Sequence, residues 1–167
     1  MSHDDEESTA RAEAWIRFAG DARVSDRLEA VYVMAREAIE ARGPACWASG
    51  RCCNFEKTGH RLYCTGLEAA YTVVGLRARG RVEPTEVEIQ EARRAGGCPL
   101  QVANLCGAHE IKPMGCRVYF CDRSAQDWQH ELSERLMGEI RRVHEEFGIE
   151  YVYGEWRSLL SMLSGRG

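Results

Sequence analysis

The feature that most constrains this chain is the placement of its eight cysteines. They stand at Cys46, Cys52, Cys53 and Cys64, and again at Cys98, Cys106, Cys116 and Cys121, two groups of four separated by residues 65–97, which contain none. In 167 residues this is too many thiols for ordinary core use and too few for a disulfide-knit miniprotein. All eight lie in segments that read as loops or hairpin edges, among Gly, Pro, Asn and Ser, while the segments of helical periodicity avoid them. Loops can turn several side chains onto one point, and thiolates gathered in this way bind zinc or an iron–sulfur cluster. Burial as small hydrophobes explains any single thiol, but not the adjacent Cys52–Cys53 pair together with the clustering. Vicinal cysteines join each other only in a strained ring. The start of the chain, Met-Ser-His-Asp-Asp-Glu-Glu, is acidic and has neither the basic nor the apolar region of a secretory signal. The expected setting is cytoplasmic, where thiols stay reduced and metal or redox chemistry takes precedence over disulfides.

The rest of the chain reads as helix. Residues 1–8 are expected to be a disordered acidic tail and residues 9–167 a single domain, since this length forms one core without covalent staples. A weak helical pattern covers 9–19, with Trp15, Ile16 and Phe18 as anchors. A stronger one covers 26–42, capped by Ser25 or Asp26, with Leu28, Val31, Met34, Ala35, Ala38 and Ile39 on one face. Gly43 and Pro44 stop it. Thr65-Gly66-Leu67-Glu68 is a capping box that opens a helix to about Arg79, and Thr85 with Glu88 opens another that ends at Gly96-Gly97. Segments flanking Ala103-Asn104 read as a short hairpin. Ser124 with Asp127 caps the longest helix, about 125–147, whose inner face is Trp128, Leu132, Leu136, Ile140 and Val143. Residues 149–153 read as a strand and 156–163 as a closing helix. The expected fold is mainly α with a small β-hairpin, one helical domain in which two cysteine-rich loops converge.

Several function classes are disfavoured. With 22 Lys+Arg against 26 Asp+Glu, the net charge of −4 includes no basic excess, so no nucleic-acid partner is expected. No apolar run approaches a membrane span. No P-loop, G-x-G-x-x-G or G-x-S-x-G occurs, and His144-Glu145-Glu146-Phe147-Gly148 is not the H-E-x-x-H of a zincin.

The ordered cysteine series resembles the YkgJ-type cysteine-cluster proteins, which are zinc- or iron-chelating domains. Their pattern is a cysteine before a C-C pair, a T-x-x-E helix start, C-P-x-L, a cysteine after a short turn, R-P-x-x-C-R, and a last cysteine. It corresponds here to Cys46 with Cys52-Cys53, Thr65 to Glu68, Cys98-Pro99-Leu100, Cys106, Lys112-Pro113-Met114-Gly115-Cys116-Arg117, and Cys121. The resemblance covers residues 46–123. Two positions depart from it: Lys112 stands where the family has arginine, and Ser49 where many members have a further cysteine. The implied ligand order places Cys52, Cys53, Cys98, Cys106, Cys116 and Cys121 first, then Cys46, and Cys64 last. The pattern is also similar to the cysteine motif of flagellin lysine methylases, which carry an iron–sulfur cluster.

Either metal leaves excess negative charge on its thiolates, so nearby donors are needed. Arg51, Lys57, Arg61, Lys112, Arg117 and Arg123 lie within the cysteine regions, and Arg51 and Arg117 are the candidates for contacting the bound group. The spacing matches neither C-x2-C…C-x2-C of zinc knuckles nor the ferredoxin run. An iron–sulfur cluster of four-iron type is the favoured cofactor, with zinc as the alternative. An enzyme that uses the centre in redox or protein-modification chemistry, and with it a protein partner, remains a further reading, although no acid–base pair supports it. His60 and His109 fall inside the cysteine regions as additional ligand candidates. His130 and His144 are expected on the surface of the long helix. Tyr119, Phe120, Tyr151, Tyr153 and Trp156 read as aromatic core or pocket lining.

Overall fold

A computed structural model describes residues 3–44 and 49–166. Eight α-helices dominate the described residues, with two antiparallel sheets of two strands each. The mainly α architecture with a small hairpin is the one read from the sequence.

Helix α1 (His3–Gly20) starts well inside the segment expected to be a tail. Asp4, Asp5 and Glu6 occupy its first turn, where the positive end of the helix dipole favours acid, and Ala12, Trp15 and Ala19 are buried. Helix α2 (Ala22–Arg42) begins earlier than expected because Asp21, rather than Ser25 or Asp26, is its cap: the Asp21 carboxylate accepts the Arg23 N–H at 2.9 Å. Its buried residues are Val24, Leu28, Val31, Tyr32 and Ala35, while Met34, expected inside, is 39% exposed. Gly43 closes α2 in the left-handed conformation.

Helix α3 (Phe55–Thr58) is a single turn. Strand β1 (Tyr63–Thr65) leads into helix α4 (Gly66–Ala78), which is enclosed on several sides and buries Leu67, Glu68, Ala69, Ala70, Thr72, Val73 and Leu76. Both T-x-x-E motifs form reciprocal capping boxes, Thr65 with Glu68 on α4 and Thr85 with Glu88 on helix α5 (Glu86–Ala95). Gly66 lies directly against Trp15; a Cβ there would stand 2.4 Å from the indole ring, so α1 and α4 meet with no room for a side chain.

Strands β2 (Gln101–Val102) and β3 (Leu105–Cys106) form the expected hairpin. Ala103 and Asn104 both have positive φ (47° and 67°), as a two-residue turn of this hand requires. Helix α6 (Met114–Arg117) and helix α7 (Gln126–Phe147) follow. Strand β4 (Tyr153–Glu155) pairs with β1, Cys64 opposite Gly154, and helix α8 (Trp156–Leu163) closes the fold. The expected strand at 149–153 is displaced to 153–155, because β1 offers only Tyr63–Thr65 as a partner.

Helix α7 buries Leu132, Leu136, Ile140 and Val143 as expected, but also His144, which is not on the surface. After Gly148 the chain folds back over the helix end. Ile149 O lies 3.3 Å from His144 Nδ1, and the Tyr151 ring stands edge-on 5.1 Å away. Among the described residues, no helix is long and apolar enough to cross a membrane.

Candidate metal centre

The two cysteine regions meet. The carbonyl of Cys53, in a 3-10 turn (Arg51–Cys53), accepts the backbone N–H of Cys98 at 2.9 Å, and Gly96 O accepts the N–H of Glu56 at 3.0 Å. Gly50 O accepts from the Asn54 amide at 2.9 Å and from the Gln101 amide at 3.3 Å, so the hairpin is also tied to the first loop. This backbone frame brings side chains 45 or more positions apart in sequence to one place.

At that place Cys53 interacts electrostatically with Cys106, Cys52 and Cys98. Interaction with Cys106, Cys52 and Cys98, together with burial, pushes the Cys53 thiol up, while those three are pulled down. Cys52 falls to about 6, through Cys53 first and the Lys112 ammonium second among its lowering influences. Cys106 falls to about 6 through Cys53, the Ala108 N–H and Lys112. Cys98 is lowered by Cys53, by the Leu100 N–H and by Trp156. The Trp156 indole Nε1–H donates to Cys98 Sγ at 3.3 Å. Cys98 and Cys106 thus share one local design, each sulfur facing the backbone N–H two residues on, in Cys98-Pro99-Leu100 and Cys106-Gly107-Ala108. Donors aimed at sulfur favour thiolate over thiol.

Cys116, on α6, is electrostatically linked to Cys98, Cys106 and Cys52, though burial raises its own pKa. Cys121 lies 3.5 Å from the Ser49 hydroxyl, and Tyr119 stands near both Cys121 and Cys52. Cys64 is separate. It is 1% exposed inside β1, beside Glu68 and Cys116, and burial pushes its thiol up. Cys46 lies outside the described residues. The cysteines described are all free thiols.

The basic residues divide differently from expectation. Arg117 uses its guanidinium on backbone, donating to Lys112 O at 2.7 Å and Glu110 O at 3.0 Å, and lies 3.8 Å above the Tyr32 ring. The cation beside Cys52, Cys106 and Cys116 is Lys112. Arg51 is exposed, with its backbone N–H on Ser49 Oγ at 3.3 Å. His109 lies 3.3 Å from the Lys112 ammonium, while His60 stacks on Tyr119 at 4.2 Å and its buried Nε2 has no hydrogen-bond partner among the described residues.

Among the described residues, no three His, Cys, Asp or Glu side chains stand ready-made as a metal-ligand group. The described cysteines are free thiols, and ligation requires their protons to leave. What the arrangement offers is a soft, partly anionic donor set with N–H groups and an ammonium around it, which fits the chemistry of zinc or of iron–sulfur clusters.

Trp156 is the contributor that the sequence did not mark for the centre. An indole at the start of the closing helix has no local mark of a sulfur partner, whereas Lys112 was visible as one of six cations in the cysteine regions. Comparison with protein-family models, curated proteins and solved structures finds no match for this chain.

Proposed function

We propose that this chain is a cytoplasmic metal-binding protein of the YkgJ-type cysteine-cluster kind, holding an iron–sulfur cluster of four-iron type on thiolates from two loops. The observation that carries this reading is the convergence of Cys52, Cys53, Cys98 and Cys106, with Cys116 alongside. These thiols interact electrostatically although they come from residues 52–116. The N–H groups of Leu100, Ala108 and Trp156, with Lys112, are the donors that would hold thiolate charge around the group. When bound, the cluster would supply one-electron redox capacity; this chain's residues would hold its sulfur ligands and limit water around them.

A second reading, a single structural zinc, is favoured by one specific observation. Cys53 is electrostatically close to Cys106, Cys52 and Cys98. Four sulfurs about 2.3 Å from one ion are necessarily in mutual contact, whereas a cubane holds its ligands farther apart.

Anaerobic purification followed by assay of iron, acid-labile sulfide and zinc tests both readings. Brown protein with iron and sulfide in the ratio of a four-iron cluster is the expected result. Colourless protein with one zinc per chain supports the second reading, and protein that takes up neither metal refutes both. Cys98→Ser is expected to lose the metal and Cys64→Ser to keep it.

A further inference from the structure

A second concave surface adjoins the thiols but is built from other side chains. An open groove of about 450 Å³ runs between residues 60–63, the end of α6 and the first half of α7, within the rough 300–1,000 Å³ range of small-ligand sites. Its walls are aromatic. Tyr63 and Tyr153 stack across the β1–β4 ribbon with ring centroids 6.0 Å apart and 27° between planes, yet remain 41% and 51% exposed. His60, which also lines the groove, stacks on Tyr119 at 4.2 Å and 24°. Stacked tyrosines left half in water add little to the core and present a flat apolar face to whatever enters.

The groove is also electrostatically one-sided. Arg61 lines it with its side chain 62% exposed, and the acid nearest to it, Glu56, is 4.0 Å away and is engaged by Arg157 at 3.2 Å. His130 lines the groove as well. Among the described residues no Asp or Glu lines the groove, although the chain as a whole carries a net charge of −4. Where an acidic protein keeps carboxylates out of a cleft and places a guanidinium at its edge, the cleft favours an anion.

We propose that this groove binds a small flat-ring anion. Its carboxylate or phosphate meets Arg61 and His130, and its ring lies on the Tyr63–Tyr153 face. The planar guanidinium matches both anionic groups, so the two sources are separated by experiment. The groove touches the thiol centre through Tyr119, but recognition uses none of the cysteines and is independent of which metal is bound.

The test uses the full chain as purified, with 4-hydroxybenzoate and adenosine 5′-monophosphate as ring-bearing probes, and with inorganic phosphate as the ringless comparator. Ligand-observed NMR reads saturable binding. At least one ring anion is expected to bind, about tenfold more tightly than phosphate. Arg61→Gln is expected to weaken it by about tenfold, the loss of one charge-assisted contact. Tyr153→Leu weakens it as well. Preference for the benzoate assigns a carboxylate ligand, and preference for the nucleotide a phosphate one. Arg61 and Tyr153 are exposed, and thermal melts of both variants check that the fold is kept. Absence of saturable binding of both ring anions up to about 10 mM, or binding that Arg61→Gln leaves unchanged, overturns the proposal.

Discussion

The carboxylate of Glu68 accepts the backbone N–H of Met114 at 2.8 Å, across 46 positions of sequence. The same side chain caps α4, taking the Thr65 N–H at 2.9 Å and the Thr65 hydroxyl at 3.1 Å, and it receives the Tyr32 hydroxyl at 3.3 Å. It is fully buried. One acid therefore fixes the start of α6, which carries Cys116, against α4 and α2. Burial raises its pKa, and the four donors oppose that shift.

Glu68→Ala leaves the Met114 and Thr65 N–H groups and the Tyr32 hydroxyl without their acceptor inside the core. At about 1–3 kcal/mol for each buried group left unpaired, a loss of about 3–5 kcal/mol is expected from denaturant titration, allowing for partial rearrangement. Glu88→Ala removes the equivalent residue of an exposed capping box, whose carboxylate accepts only from Thr85 among the described residues. It is expected to move the midpoint far less. Equal effects would show that Glu68 acts only as a helix cap.

The difference between these two boxes also marks where sequence reading stopped. T-x-x-E was legible twice, and both boxes formed, whereas the cap expected from Ser124 with Asp127 did not: α7 starts after Ala125 with no side-chain cap. That one glutamate would be buried and bridge to Met114 depended on which helix became the centre of the fold, and no local pattern carries that. The hairpin was legible because turn residues and flanking segments are contiguous. The convergence of the two cysteine loops was expected from their order, but their partners were not. Arg117 looked like the cation for the thiols because it neighbours Cys116; in space it is occupied by backbone carbonyls and the Tyr32 ring, and Lys112 has the place. His144 looked exposed on a helical projection of α7 alone, which omits the chain that returns over it after Gly148.

The Trp156 N–H on Cys98 sulfur predicts a separable effect on metal retention. Trp156→Phe keeps most of the ring packing and removes the donor. A hydrogen bond to a charged acceptor is worth about 1.5–3 kcal/mol, so transfer of metal to a competing chelator is expected to be about tenfold faster or more. Trp15→Phe is the control. Trp15 is equally buried, and its indole nitrogen has no hydrogen-bond partner among the described residues. It makes a comparable cavity and is expected to leave the transfer rate within a factor of about two of wild type.

His144 predicts acid sensitivity. Burial lowers its pKa below the ordinary histidine value, and its Nε2 has no partner among the described residues to receive a second proton. In the unfolded chain the ring protonates as pH falls through about 6.5; in the folded chain it stays neutral to lower pH. The unfolded state therefore binds more protons over that window. The contribution to stability is full above the ordinary value and is lost as pH falls toward the folded one. Denaturation midpoints are expected to drop on acidification across this range. His144→Phe should flatten part of the slope, with the remainder due in part to His60, which burial shifts in the same direction. A slope identical to wild type would remove His144 from this account.

Gly50 predicts how the two cysteine regions depend on each other. Its φ is +71°, in the region glycine favours, and a Cβ there would fall 1.9 Å from Asn104 Oδ1 and 2.8 Å from the Gln101 amide nitrogen. The close approach joins the first cysteine loop to the hairpin that carries Cys106. Gly50→Ala adds left-handed strain of about 1–2 kcal/mol and also displaces the Asn104 and Gln101 side chains that tie the hairpin to the loop. Helical content is expected to survive, because the helices pack elsewhere. Metal stoichiometry should fall, and the thiols should react faster with a thiol-modifying reagent. Gly80→Ala separates the two effects: Gly80 has φ +64° with nothing within 4 Å of the added carbon, so it carries the backbone strain alone. If both variants retain metal equally, the contact between Gly50 and Asn104 is not what holds the loops at one centre.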